Sequence, residues 1–513
     1  MPRLEGDYRP VDLGRGYVLT APGLRGNAER RDAGTPDVRA AEQATPLIDD
    51  ALARNGMESV ATIDIAATEM PAGPSIHDLR DAHGDDALLL EVPDFGPTNG
   101  QVVLSINEAG ALTWHFPLED GEIQPPAVRG AGAKKRFYIR RRVAPVPPPN
   151  AARDRALFGV IGRKLLKVIV YPITDLFLGK PAELVAEYWE KKNRAYGIRD
   201  FSPSNYREAT ATPEDRRRLA LTPAQLGNFT KGRALFFIHG TFSNAHGAFS
   251  DLPPDFMTTI HQRYQGRVFA LNHFTMSHDP QTNVRWFLDE IARMSPAGKL
   301  DVDIVCHSRG GLVARTLVDG QSAFGIDTSP VNVSRIAFVG VPNQGTPLTD
   351  PDHMSDMIDR FTTVLNVAPP GSPADWLEGL LIAVKILGHG ALKGLAGLQS
   401  MNPKGKFLAA LNTGGRQNPD NLAIAADYDP TDEALKSIVK DGAVDAIFQD
   451  AGNDLVVPEL GVYGENGSGT FPIPTAACLR LPASAGVTHT TMFANADVQR
   501  RLNSWLNPPA GVA

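Results

Sequence analysis

The sequence is poor in cysteine and has little excess charge, and each shortage excludes a class of protein. Only two cysteines occur in 513 residues, Cys306 and Cys478, which excludes a fold held together by a disulfide framework and fits a reducing compartment. The formal net charge is -7 at pH 7, so the chain as a whole does not attract nucleic acid or an anionic membrane.

The sequence also lacks a long uninterrupted apolar run. Its most apolar stretch, "LFGVIGRKLLKVIVYPITDLFLG", contains three basic residues and is broken by Pro172, so it does not predict a spanning helix. It predicts a buried helix pair between two domains, with transient contact to a membrane surface as the alternative. The first residues lack a basic start followed by an apolar core, so we expect a cytoplasmic protein, with non-classical export left open.

Changes of composition along the chain predict four regions. Residues 1–75 are rich in Ala, Gly, Pro and charges, which predicts a loosely structured leader. Residues 76–150 contain "ALLLEV", "QVVLSI" and "ALTWHF" between turn sequences, which predicts a small β-rich domain. Residues 151–229 are predicted as a helical linker region, and residues 230–508 as an α/β domain with a helical cap at about 349–420.

A basic strand near the end of the β-rich region has two interpretations. The segment "KKRFYIRRRV", residues 134–143, places two aromatic residues among basic ones, a pattern that occurs in nucleic-acid-binding strands. A solvated edge strand whose charges discourage aggregation explains the same pattern, and we favour it. We therefore predict no nucleic-acid partner.

After residue 230, apolar strands alternate with helical patterns. The candidate strands are "ALFFIHG", "RVFALNH", "DVDIVCHS", "RIAFVGV", "NLAIAAD" and "CLRLP". Segments such as "QTNVRWFLDEIARM" between them carry apolar residues at helical spacing. This alternation predicts a doubly wound, mostly parallel sheet covered by helices on both faces.

One strand is followed by a candidate nucleophile. In "VDIVCHSRGGLVAR", Ser308 stands between a buried strand and a helix, where a sharp turn would project its hydroxyl above the carboxyl edge of the sheet. Small residues must flank such a turn, and Gly310 and Gly311 follow, although Cys306 replaces the first glycine of the G-x-S-x-G pattern. The alternative is an ordinary helix N-cap.

The base is found by elimination. In this kind of fold the acid and the histidine follow the serine along the chain, and only His353, His389 and His489 come after Ser308. The first two fall in the predicted cap. His489, in "GVTHTTMF" after the last strand, is therefore the candidate base, and a loop histidine bonded to the backbone is the alternative.

The acid is predicted one strand earlier, in "DAGNDLVVP". Asp454 is preferred to Asp450 because the apolar residues that follow it would fix the loop against the sheet. Its carboxylate would orient the Nδ1 proton of His489. The alternative is a turn aspartate that caps its own loop.

Two backbone amides are predicted to form an oxyanion hole. One belongs to Arg309, at the start of the helix after the serine, and the other to Thr241 or Phe242, after the strand "ALFFIHG". His239 and His307 are expected to be structural.

The motifs "FFIHGTF", "VCHSRGGLVAR", "VGVPNQGTP", "GNDLVVP" and "VTHTTMF" together resemble the α/β-hydrolase superfamily, and within it the bacterial lipase-like serine esterases. The resemblance covers residues 230–508. It implies hydrolysis of a carboxylic, possibly lipid, ester through an acyl-enzyme, with no metal and no cofactor. A serine amidase, peptidase or acyltransferase, or an interaction protein with a degenerate hydrolase domain, are the alternatives.

Overall fold

The structure, a computed structural model, describes most of the chain. The described residues are 1–33, 46–68, 87–107, 111–118, 133–140, 144–145, 162–173, 181–294, 298–350, 354–366, 374–388, 395–413, 419–429, 452–464 and 471–507. They form two antiparallel sheets in the N-terminal part and one mostly parallel sheet in the C-terminal part. Within these ranges, every helix is too short or too polar to cross a membrane.

The N-terminal part consists of eleven strands and one helix in the described residues. They are β1 (Arg3–Glu5), β2 (Val11–Gly14), β3 (Tyr17–Thr20), β4 (Arg25–Asp32), α1 (Pro46–Arg54), β5 (Glu58–Ala67), β6 (Ala87–Pro93), β7 (Asn99–Asn107), β8 (Leu112–His115), β9 (Lys134–Arg140), β10 (Ala144–Pro145) and β11 (Gly162–Pro172). One sheet has the order β1-β4-β5-β11-β7-β8, with β10 paired to β11, and the other has the order β2-β3-β6-β9. The basic strand β9 thus lies at a sheet edge.

The prediction of a loosely structured leader over residues 1–75 is wrong for the described residues 1–33 and 46–68. Strands β4 and β5 pair antiparallel along their length, and β5 buries every second residue from Ala61 to Ala67. The alternation of buried and exposed residues on these strands is not evident from the sequence, because alanine and charged residues are also typical of unstructured segments. The β-rich part therefore includes residues that precede position 76.

The prediction of a helical linker over residues 151–229 is also wrong at β11, which is a central strand between β5 and β7. Both faces of β11 are buried: Leu166 and Val168 pack into one core, and Leu165 and Ile169 into the other. A strand that is apolar on both faces lacks period-two alternation, so its sequence cannot be told from a buried helix.

The C-terminal part contains the following elements in the described residues. They are α2 (Ala182–Asn193), β12 (Gly197–Asp200), α3 (Pro213–Leu219), α4 (Pro223–Phe229), β13 (Ala234–Ile238), α5 (Ala245–Phe249), α6 (Pro254–Arg263), β14 (Val268–Asn272), α7 (Pro280–Met294), β15 (Leu300–His307), α8 (Gly310–Phe324), β16 (Val331–Val339), α9 (Met354–Asn366), α10 (Ala374–Leu387), α11 (Ala396–Gln399), α12 (Lys406–Thr413), β17 (Asp420–Ala426), α13 (Glu459–Tyr463), β18 (Cys478–Leu481) and α14 (Ala496–Trp505).

The C-terminal sheet has the strand order β12-β14-β13-β15-β16-β17-β18, and all neighbours are parallel except β12 and β14. Strands β13 and β14 are buried at every residue, as expected for a sheet with helices on both faces. The sheet begins at β12 rather than at residue 230. The sequence does not predict β12, because this short edge strand has no hydrophobic pattern. From β13 the chain continues to β14 on one side and later to β15 on the other, which creates a switch point at the carboxyl ends of β13 and β15.

Helices α9 and α10, here called the cover helices, join the two parts of the chain. The backbone amide of Trp114 donates to Oδ1 of Asp359 over 2.7 Å, and its indole N–H donates to Oγ1 of Thr362 over 2.9 Å. Near the end of α10, the Tyr171 hydroxyl donates to the carbonyl of Lys385 over 3.0 Å. The N-terminal part therefore packs directly on the cover helices and shares a hydrophobic core with them.

Candidate active site

The turn after β15 places Ser308 in a left-handed conformation, with φ of 52°. Backbone strain of this kind is typical of functional turns. Two glycines make the turn possible, because a Cβ on Gly310 would lie 2.4 Å from the carbonyl oxygen of Ile238, and one on Gly240 would lie 2.6 Å from Cβ of Ser308. The space around the serine is therefore taken up by backbone.

Cys306 fits where the motif usually has glycine because its side chain points to the neighbouring strand. The thiol is fully buried and donates to the carbonyl of Ala337 on β16 over 3.3 Å. Burial raises the pKa of this thiol well above its usual value, so the sulfur stays protonated. Cys306 is thus a small packing residue, not a nucleophile.

The structure brings Ser308, His489 and Asp454 together in one hydrogen-bonded chain. Nε2 of His489 lies 2.9 Å from Oγ of Ser308, and Nδ1 of His489 lies 2.8 Å from Oδ2 of Asp454. All three side chains are buried, with 3% of Ser308, 1% of Asp454 and none of His489 exposed. Because a neutral imidazole that donates from Nδ1 accepts at Nε2, this arrangement leaves Nε2 free to take the serine proton.

The Asp454 carboxylate is held by its own loop. Its Oδ1 accepts the amides of Val456 over 3.0 Å and Val457 over 2.7 Å, which leaves Oδ2 for His489. The amide of His489 also donates to the carbonyl of Asp454 over 3.0 Å. Two hydrogen bonds therefore link His489 to Asp454, one from its ring and one from its backbone amide. The other residues weighed from the sequence, His353, His389 and Asp450, lie outside the described residues.

The amides predicted for the oxyanion hole differ in their hydrogen bonds. The amide of Phe242 donates to Oγ1 of Thr275 over 3.3 Å, and Phe242 has a φ of 58°. Among the described residues, the amides of Thr241 and Arg309 have no hydrogen-bond partner. Free donors beside the serine suit a developing oxyanion, so Thr241 is preferred to Phe242 as the second donor.

Buried neutral histidines surround the turn. His239 donates from Nδ1 to the carbonyl of Gly240 and accepts at Nε2 from the amide of His273. His307 donates from Nε2 to the carbonyl of His489 over 3.0 Å. Burial lowers the pKa of His239 to about 3 and lowers the pKa values of His273 and His307 well below their usual range. These histidines build the site as neutral groups.

The buried histidines predict a loss of stability in acid. Because the folded-state pKa of His239 lies below its unfolded value, the unfolded chain binds a proton near pH 6 that the folded chain does not. We expect the free energy of unfolding to fall by about 2 kcal/mol between pH 7 and pH 5 from His239 alone. Urea denaturation at the two pH values measures the fall, and His239→Gln should reduce it by about that amount. An equal fall in both proteins would contradict this origin.

Aromatic side chains from the cover helices close the site. The ring of Phe361 on α9 meets His489 edge-on at 5.9 Å between centroids, and Trp376 on α10 lies 5.9 Å from His307. Phe361 also packs edge-on against Phe242, at 5.5 Å. The wall over the serine is thus apolar, and Ser308 is almost inaccessible in this conformation.

The sequence predicts a role for the backbone amide of Arg309 but does not indicate that its side chain is also part of the site. The guanidinium is completely buried, and its Nε donates to the carbonyl of Gly397 over 2.8 Å. Its Nη2 donates to the carbonyl of His278 and, over 3.2 Å, to Oδ1 of Asn283. Burial lowers its pKa to about 10, so it stays charged at neutral pH. Its partners come from three separate segments, and local sequence carries no signal of that.

In the described part of the chain, no group of three His, Cys, Asp or Glu side chains is placed to hold a metal ion. His239 and Arg309 bond the backbone, while Nδ1 of His307 and Nη1 of Arg309 have no hydrogen-bond partner among the described residues.

The fold and the site define a class: an α/β protein with a buried Ser-His-Asp chain at the switch point of a parallel sheet. The chain belongs to the family described as "Domain of unknown function (DUF7379)", which matches residues 193–507. No curated protein matches the sequence.

Solved structures with similarity to this chain include lipases. The phospholipase PlaB from Legionella pneumophila is 14% identical with a TM-score of 0.32, over 50% of this chain and 54% of that one. Lipase 1 from Pelosinus fermentans is 11% identical with a TM-score of 0.35, over 55% of this chain and 99% of that one. Aspergillus fumigatus lipase B is 15% identical with a TM-score of 0.31, over 57% of each chain. The chain thus spans about half the length of the Legionella phospholipase.

Proposed function

We propose that this protein is a serine hydrolase of the α/β-hydrolase superfamily that cleaves carboxylic esters. The single observation that carries the proposal is the unbroken hydrogen-bond chain from Ser308 through His489 to Asp454, at 2.9 and 2.8 Å. A helix N-cap serine has no need of a buried histidine that is itself oriented by a buried carboxylate. The order serine, acid, histidine along the chain supports the same proposal.

Acylation begins at the serine. His489 accepts the hydroxyl proton at Nε2 while Oγ of Ser308 attacks the acyl carbonyl, and Asp454 stabilises the imidazolium that forms. The carbonyl oxygen becomes an oxyanion, which receives hydrogen bonds from the amides of Arg309 and Thr241. These amides need no reorganisation because the turn and the strand end already fix them.

Collapse of the tetrahedral intermediate completes acylation. The bond to the leaving alcohol breaks, and His489 returns its proton from Nε2 to that oxygen. Water then enters, gives a proton to the same Nε2 and attacks the acyl-enzyme, and a second collapse releases the acid and restores the Ser308 hydroxyl. No group outside the chain is required for proton balance.

The apolar wall favours an apolar acyl group. Phe361 contacts His489, and Phe242 and Trp376 pack against Phe361. Such rings stabilise an alkyl chain by burial rather than by directed hydrogen bonds. Since Ser308 is only 3% exposed, the cover helices act as the predicted cap and move to admit the substrate.

A profile of hydrolysis across substrates tests this function. We expect turnover of nitrophenyl esters that rises from acetate to octanoate, and slower turnover of the matching nitroanilides. Equal or faster anilide turnover would favour the amidase alternative. A folded protein that turns over none of these substrates and reacts with no fluorophosphonate would contradict the proposal.

A further inference from the structure

A short loop after β14 contacts both sides of the proposed oxyanion hole. This segment, Thr275–His278, is called the brace loop. At its start, Oγ1 of Thr275 accepts the amide of Phe242, the residue next to Thr241. At its end, the carbonyl of His278 accepts Nη2 of Arg309. The position of the brace loop therefore bears on both segments that supply the oxyanion donors.

A single buried carboxylate holds the brace loop. Oε1 of Glu190 accepts the amides of Thr275 over 2.6 Å and Met276 over 3.0 Å. Oε2 accepts the amide of Ser277 over 3.0 Å and also the hydroxyl of Ser277. Only 1% of Glu190 is exposed, so water does not compete for these bonds. Three consecutive amides are thus directed to one side chain.

Glu190 reaches the loop from outside the sheet. It lies on α2, which precedes β12, and just before the region matched by the family, residues 193–507. Arg194 directly follows α2, and its Nη1 donates to the carbonyl of Phe242 over 3.4 Å. Helix α2 and the residue that follows it therefore contact the oxyanion segment both directly and through the brace loop.

The oxyanion segment needs such support. Phe242 has a positive φ without being glycine, a conformation that persists only where surrounding contacts impose it. Its amide is held by Thr275, and the space beside it is closed by the cover helix α10, where a Cβ on Gly379 would lie 2.8 Å from the carbonyl oxygen of Phe242. If Thr275 shifted, the amide of Thr241 would lose its fixed direction.

We propose that Glu190 is a positioning residue that holds the proposed oxyanion hole through the brace loop. The inference rests on the proposed function, because it assigns Glu190 a part in the same reaction. Glu190 does not touch the substrate. It fixes Thr275, Thr275 fixes Phe242, and Phe242 sets the direction of the amide of Thr241.

The first test replaces the carboxylate by its isosteric amide. Glu190→Gln turns one acceptor oxygen into an NH2 donor, so at least one backbone amide of the brace loop loses its acceptor in either orientation of the side chain. We expect kcat for nitrophenyl butyrate to fall by about ten- to a hundredfold, less than the hundred- to thousandfold typical of removing an oxyanion donor outright. KM should change by less than about twofold, because the ground-state contacts remain.

The matched control lies on the same helix. Glu183→Gln removes an exposed carboxylate in the first turn of α2 that, among the described residues, has no bond to the brace loop. Its kcat should stay within about twofold of the wild type. The affinity for a trifluoromethyl ketone, which forms an oxyanion on the serine, should fall with kcat in Glu190→Gln and stay unchanged in Glu183→Gln.

A second variant tests the route and does not depend on the folding of the first. Thr275→Val keeps the shape of the side chain and removes the acceptor for the amide of Phe242. It should also lower kcat with little change in KM. The double variant should lose less than the product of the two single losses, because both act on one segment.

The outcomes separate the two proposals. A wild-type protein that is inert to esters and to fluorophosphonate would remove the proposed function and this inference with it. An active wild type with an unchanged kcat in folded Glu190→Gln, or in Thr275→Val if the first does not fold, would overturn the inference alone. A loss confined to KM or to melting temperature would also overturn it, because it would indicate a purely structural role.

Discussion

Replacement of Ser308 by alanine is expected to lower ester turnover by about a millionfold, the size of loss seen when a triad nucleophile is removed. The reason is that no acyl-enzyme forms, so only binding and the oxyanion amides still contribute. The change removes one hydroxyl at a buried turn and adds no atoms, so the fold should be kept. The rate of nitrophenyl butyrate hydrolysis measures the loss of turnover, and the melting temperature measures whether the fold is kept.

The matched control for this variant is Ser322→Ala, on the helix α8 that follows the nucleophile. Ser322 is exposed and donates to the carbonyl of Asp319, far along the helix from the turn. Its turnover should equal that of the wild type. If Ser308→Ala kept more than about a tenth of the activity, the nucleophile would have to be another residue.

Replacement of Asp454 by asparagine is expected to lower turnover by about ten-thousandfold. An asparagine can keep the amides of Val456 and Val457 on its oxygen, as Oδ1 of Asp454 does now. Its NH2 group then faces Nδ1 of His489 and selects the tautomer that carries its proton on Nε2, which cannot accept the serine proton. Melting temperature should change little, because the loop keeps its bonds.

Asp450 provides the comparison for this prediction, since it was the other candidate in the same sequence segment. Asp450→Asn should change turnover by less than about tenfold. The reverse ranking of the two variants would assign the acid to Asp450. Two near-neutral variants would contradict the 2.8 Å bond between His489 and Asp454 as a catalytic contact.

Much of the C-terminal sheet could be predicted from sequence because its strands are continuous apolar runs bounded by turn residues. Strands such as β13 and β14 are buried on both faces, and the helix pattern between them has a separate period. The sequence indicates the turn at Ser308 for a local reason: a Cβ on Gly310 would lie 2.4 and 2.5 Å from the carbonyl oxygens of Ile238 and His239, so the turn requires glycine. The structure brings the three predicted triad residues together, and their catalytic roles stay predictions.

The parts that could not be predicted depend on contacts between distant segments. The sequence predicts a helix at β11 because both faces of this strand are apolar, and it does not indicate β5 because alanines fill half of its buried positions. Glu190 and the Arg309 side chain have no local pattern at all. Each is defined by partners from other segments, up to 91 positions away for Arg309 and Ser400. The sequence of one chain therefore does not indicate which groups Glu190 and Arg309 bond.

The sequence predicts the N-terminal regions as distinct from the α/β domain, but in the structure they contact the cover helices directly. Trp114 makes two hydrogen bonds to α9, and Tyr171 makes one to α10. Asp359 accepts the buried amide of Trp114, and Tyr171 donates to the carbonyl of Lys385, so these backbone groups have partners at the interface. The two parts therefore share an interface at the cover helices, which sequence composition could not indicate.

The most direct measurement is the site of covalent labelling by a small fluorophosphonate, mapped by peptide mass spectrometry on the full-length protein. We expect one phosphonyl adduct, on Ser308, that is absent from Ser308→Ala and formed much more slowly by His489→Gln, because the hydroxyl then lacks its base. An adduct on another residue, or a folded wild-type protein that forms none, would contradict the assignment of Ser308 as the nucleophile of a serine hydrolase.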